Sequence, residues 1–101
     1  MPQVVGTDVR KLVVACDAGM GSSVMLASQM RKRLKKYNVA VEHVPVNSIP
    51  PDAQVVLCHG GLADRAQGIA PQAVVVPFNV FMGDPAFDRV EAAIRDGGTL
   101  G

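Results

Sequence analysis

A chain of 101 residues is long enough for one domain with a modest hydrophobic core. Apolar residues make up 49% and charged residues 19%, a globular balance that excludes an intrinsically disordered segment. A net charge of +1 supplies no field that calls for a nucleic-acid partner, and no apolar run approaches the roughly 20 residues of a membrane-spanning helix.

The first residues, MPQVVGTDVRKLVV, place their charges ahead of a five-residue apolar run and lack the long apolar region of a signal peptide. The expected location is the cytoplasm, without direct insertion into a membrane. Two cysteines, Cys16 and Cys58, are too few for a disulfide scaffold, and in that compartment both are expected to be reduced.

Residues 1–10 show no hydrophobic period and are expected to form a loose lead-in, which leaves an ordered core at about 11–95 of a single domain, 1–101. Residues 12–16 (LVVAC) read as a fully buried strand. A turn with two glycines and a serine pair follows, and then a segment in which Val24, Ala27, Met30, Leu34 and Tyr37 recur at helical spacing. Ser22 or Ser23 is the expected N-cap, while Arg31, Lys32, Arg33, Lys35 and Lys36 crowd the end that favours cations. Val39, Val41 and Val44 mark a second strand closed by Pro45, and QVVLC at 54–58 a third. Gly60 and Gly61 open a short helix, AVVV at 73–76 is a fourth strand that Pro77 is expected to stop, and a last helix begins near Asp84 and Pro85. Phe87, Val90, Ala93 and Ile94 form its apolar stripe, and the tail GGTLG is expected to stop it and then fray. Valine runs alternating with amphipathic helices predict an α/β fold with a parallel sheet covered on both faces.

In such sheets ligands bind beyond the carboxyl ends of the strands. Cys16 lies at such an end, and the residues after it suit an anion. Gly19 and Gly21 allow backbone N–H groups to converge, the positive end of the next helix faces the same point, and Ser22 and Ser23 add hydroxyl donors. The field that binds a phosphate also favours a thiolate, which makes Cys16 the candidate nucleophile. Taken alone, Cys16 reads rather as a small buried strand residue, and the glycines as a tight turn. Strand, cysteine, glycines, serines and helix in immediate succession favour the phosphate loop of 17–23: Asp17, Ala18, Gly19, Met20, Gly21, Ser22 and Ser23. Low-molecular-weight tyrosine phosphatases and related arsenate reductases resemble this arrangement, but their loop is cysteine, five residues, then arginine. Here the sixth residue after Cys16 is Ser22, so the guanidinium that clamps a transferring phosphoryl group is missing. That favours a protein holding a phosphoryl group for a partner over one that hydrolyses it.

The segment VVACDAGMGSS at 13–23 closely resembles the active-site segment of mannitol-type enzyme IIB domains of the bacterial phosphoenolpyruvate-dependent sugar phosphotransferase system. The resemblance extends to Arg31 and Lys32, to Ile49, Pro50, Pro51 and Asp52, and to His59, Leu62, Arg65 and Ala66, covering about residues 11–95. It departs at Gly60 and Gly61, where a more polar segment is expected, and in the glycine-rich tail. It implies a single three-layer, Rossmann-like domain with a four-stranded parallel sheet of order 2-1-3-4 and the phosphate loop after strand 1. It also implies that Cys16 takes a phosphoryl group from a phosphohistidine on enzyme IIA and passes it to a sugar alcohol, mannitol or a relative, bound in the membrane component enzyme IIC. No metal or organic cofactor is implied. The rival classes are a phosphatase- or reductase-like enzyme and a non-catalytic IIB-like sensor.

Other residues carry two readings each. Asp17 points outward or caps a turn, and Met20 is a docking contact at the loop crest or a core residue. Cys58 is a redox partner of Cys16 or, more in keeping with a strand end, a structural buried thiol. His59 is an accessory group at the mouth of the site or a loop histidine with a structural hydrogen bond. Asp84 before Pro85 is a helix cap rather than a general acid. The cationic run 31–36 is a solvated helix face or a docking surface for an acidic partner.

Overall fold

A computed structural model describes residues 3–16, 21–80 and 83–100, with the backbone alone for 21–23. Its strands are β1 (Val4–Val5), β2 (Lys11–Cys16), β3 (Ala40–Pro45), β4 (Val55–His59), β5 (Val74–Phe78) and β6 (Thr99–Leu100). Its helices are α1 (Gly21–Leu34), α2 (Ala63–Ile69) and α3 (Pro85–Asp96). Four strands form a parallel sheet in the order β3-β2-β4-β5. Period-two alternation divides their side chains between two cores. Leu12, Val14, Val41, Val55, Leu57, Val74, Val76 and Phe78 pack against α1 and α3, and Val13, Ala15, Val56 and Cys58 pack with Ala66 of α2 and with Val46 and Ile49. The fold is α/β with helices on both faces of a parallel sheet.

The α1 stripe differs from its sequence reading at one end. Leu26, Ala27, Met30 and Leu34 are buried and Tyr37 packs against them, but Val24 is 53% exposed. At about 100° per residue, Val24 lies roughly 100° from the centre of that stripe, so it projects beside the sheet instead of onto it. Each of the large buried side chains contributes about 1.5–3 kcal/mol by leaving water. Pro77 does not stop the fourth strand. β5 runs through it to the buried Phe78, and pairs Pro77 with Cys58. The strand is at the sheet edge, where a missing N–H is tolerated.

The chain termini are the larger correction. In place of a loose lead-in and a frayed tail, β1 and β6 pair antiparallel, Val4 with Leu100 and Val5 with Thr99. Val9 is fully buried, and the Gly6 N–H donates to the Gly98 carbonyl at 2.7 Å. Gln54 ties this segment to the sheet: its side chain accepts from the Lys11 N–H at 3.0 Å and donates to the Asp8 carbonyl at 2.9 Å. The helix stop itself is as expected, with Gly97 in the left-handed region at φ 79°.

Asp84 is a cap, as its place before Pro85 implies. Its carboxylate accepts from the Ala86 N–H at 2.9 Å, the Asn79 N–H at 2.8 Å and the Val80 N–H at 3.2 Å. These donors, Ala86 first, hold its carboxyl below the ordinary value. The folded state therefore favours the ionised group, and its contribution to stability is present above the unfolded carboxylate range and lost as pH falls through the folded value. Asp84→Asn is expected to lower Tm by several degrees at pH 7. Thermal melts taken toward pH 3 should show the gap from wild type closing.

Candidate functional site

The core delivers Cys16 to the carboxyl end of β2, one of the two central strands, with four residues between it and the start of α1. Cys16 is 4% exposed and, two residues on from Val14, falls by strand alternation on the α1 face of the sheet that Val14 packs. Asp17, Ala18, Gly19 and Met20 lie outside the described residues. The backbone of 21–23 forms the opening of α1, which corrects the reading of Ser22 or Ser23 as N-cap and of Gly21 as a loop residue. Within a first turn, N–H groups have no acceptor inside the helix, so 21–23 present donors and the positive end of the dipole toward the strand ends.

Among the described residues, the nearest functional partner of the thiol is one the sequence reading did not assign. His43 Nε2 stands 3.0 Å from Cys16 Sγ, against 4.0 Å from the sulfur to the Val44 carbonyl. β3 pairs with β2 in register, His43 opposite Val14 and Pro45 opposite Cys16, so both side chains rise from the same face. The signal lay in AVEHVP: His43 alternates with Val41, which puts a polar residue on the core face of a strand beside its carboxyl end. Arg31 of α1 lies over the same strand, its Nε–H donating to the Val41 carbonyl at 2.9 Å. Lys11 and Glu42 pair at 3.4 Å and, by alternation, belong to the opposite face.

His59 is exposed at the end of β4. It caps the turn that follows, its Nδ1 accepting from the Gly61 N–H at 3.3 Å, and its ring meets Phe78 edge-on at 6.2 Å. These contacts give it a structural hydrogen bond. The cationic run divides in three. Arg31 braces β3, Arg33 pairs with Asp88 and Glu91 of α3, and Lys32, Lys35 and Lys36 are exposed.

Cys58 belongs to the opposite core, where it is fully buried among Val13, Ala15 and Val56. Burial pushes its thiol from 9.0 up to about 11. The folded state holds the proton more tightly, so this contribution to stability is complete below pH 9 and is lost as pH rises toward 11. Native protein at pH 8 is expected to leave Cys58 unmodified by a thiol reagent that labels it promptly in denaturant. Prompt native labelling would place it outside the core.

A central parallel strand that carries a thiol to the opening of a helix defines an α/β domain suited to handling an anion at a cysteine. The family model described as "PTS system, Lactose/Cellobiose specific IIB subunit" matches residues 11–93, and the chain belongs to that family: it is a IIB phosphotransferase component. Among curated relatives it is 39% identical over 90 residues to the PTS system mannitol-specific EIICB component of Geobacillus stearothermophilus, covering 87% of this chain and 19% of that protein. It is 42% identical over 84 residues to the mannitol-specific EIICBA component of Pasteurella multocida, covering 81% and 14%. To the mannitol-specific cryptic EIICB component of Escherichia coli K12 it is 38% identical over 84 residues, covering 81% and 18%. The chain thus spans less than a fifth of the length of these relatives. No helix among the described residues is long and apolar enough to cross a membrane.

Proposed function

We propose that Cys16 is the phosphoryl-carrying residue of this IIB domain. It takes the phosphoryl group from a phosphohistidine of a IIA component and passes it to a sugar alcohol held by a membrane IIC component. The observation that carries this reading is Cys16 at the carboxyl end of a central parallel strand, with four residues between it and the N–H groups that open α1. Loop residues 17–20 and the first turn, 21–23, would cradle the phosphoryl oxygens in a Rossmann-like setting. Mannitol or a related alcohol is favoured as acceptor by the names of the relatives. The domain would work at the cytoplasmic face of the membrane, held there by its IIC component. The test is a relay: phosphorylated IIA of the mannitol type is mixed with the chain, followed by peptide mapping. Phosphate on Cys16 supports the reading, and phosphate on His43 or His59 overturns it.

A further inference from the structure

The Cys16–His43 contact has chemistry that the carrier reading leaves unused. We propose that His43 is a catalytic residue of this site, taking the thiol proton as the sulfur attacks phosphorus and returning it when the phosphoryl group departs. The proposal rests on the carrier function proposed above for Cys16.

The distance and the placement carry it. Nε2 lies 3.0 Å from Sγ, within the reach of direct proton transfer. A thiol is a poor nucleophile until its proton has somewhere to go. His43 is half-buried on the strand next to Cys16, and β2–β3 pairing over Lys11–Cys16 and Ala40–Pro45 fixes the two side chains relative to each other. Among the described residues, the charged groups on the elements packed there are Arg31 of α1, which donates to the Val41 carbonyl, and Glu42 and Lys11 on the far face of the sheet.

In the first transfer a sulfur lone pair forms the S–P bond while the N–P bond of the donor breaks. The bond pair stays on the donor ring, which leaves as neutral imidazole with its other nitrogen protonated. The thiol proton passes to Nε2, so a neutral thiol and imidazole become a thiophosphate and an imidazolium. In the second transfer the acceptor hydroxyl oxygen forms the O–P bond, the S–P pair returns to sulfur, and the imidazolium gives its proton back. The hydroxyl proton leaves to solvent. An imidazolium beside the sulfur stabilises both the bound dianion and the departing thiolate.

The first measurement reads the sulfur directly, without any transport partner, and the second adds the IIA donor. In a Cys58→Ala background, iodoacetamide modification of Cys16 at pH 7 is expected to slow about 10-fold in His43→Ala, with free imidazole restoring part of the rate. Phosphorylation by the IIA donor is expected to slow about 100-fold in the same variant. A merely space-filling role has the opposite sign, since removing the ring opens access to a sulfur that is now buried. His43→Gln, which keeps the bulk, should be slow like His43→Ala. Alkylation at or above the wild-type rate in both variants, with no effect of imidazole, overturns the role of His43. If wild type is never phosphorylated on Cys16, the carrier reading and the phosphoryl step fall together, while slowed, imidazole-rescued alkylation would still establish the proton pathway.

Discussion

Replacing Cys16 with serine is expected to abolish phosphorylation of the chain, by about 10³-fold or more, and to leave the fold intact. The hydroxyl is close in size to the thiol, so the nearly closed site around position 16 accepts it without a cavity or overpacking. A serine hydroxyl, which both donates and accepts, pairs with His43 Nε2 in either tautomer, so no buried polar group loses its partner. What changes is reactivity, because an alcohol at neutral pH supplies almost no anion to attack phosphorus. Radiolabel transfer from the IIA donor measures the loss, and near-wild-type circular dichroism and Tm establish that it is chemical. Cys58→Ala serves as the matched control. Its thiol belongs to the opposite core, so transfer should stay near the wild-type rate. Phosphorylation of Cys16→Ser at a wild-type rate would assign the phosphate to another residue.

Gly6→Ala is expected to be the most damaging small substitution outside the site. An added Cβ would stand 1.9 Å from the Ala93 carbonyl oxygen and 2.1 Å from its carbon, with the Ile94 nitrogen at 2.6 Å. All three are backbone atoms of α3, so no side chain can swing aside. The same carbonyl accepts the Gly97 N–H at 2.8 Å and closes the end of the helix. Either the 3–10 turn formed by Gly6–Asp8 lifts away, breaking β1–β6 pairing and the Gly6–Gly98 hydrogen bond, or the last turn of α3 deforms. A loss of about 2–4 kcal/mol is expected, or roughly 10–20 °C in Tm for a domain of this size. Amide exchange should rise first at Val5, Gly6 and Val9. Gly68, exposed in α2 with nothing within 4 Å of its Cβ position, is the contrasting case. Gly68→Ala should raise stability by about 0.5–1 kcal/mol through helix propensity. A Gly6→Ala protein melting with wild type would mean that the N-terminal segment is not seated against α3.

The alternation of elements and the place of the thiol were legible in the residues alone. The valine runs around Val13, Val56 and Val75 are apolar at consecutive positions and short, a pattern that fits a strand covered on both faces, and Asp84 before Pro85 carries a helix start in its local chemistry. Cys16 was legible for the same reason: strand, cysteine, glycines and helix are adjacent in the chain. What needed tertiary structure were contacts between residues distant in sequence. His43 is 27 residues from Cys16 and meets it only because β3 lies beside β2 in one register; a slip by one residue would turn His43 to the other face. Cys58 shares a strand end with His59 but belongs to the core opposite Cys16, a matter of sheet parity. The docked termini were illegible because two-residue strands have too few positions to show a period. Gly6 acquires its role only from a helix nearly ninety residues further along the chain.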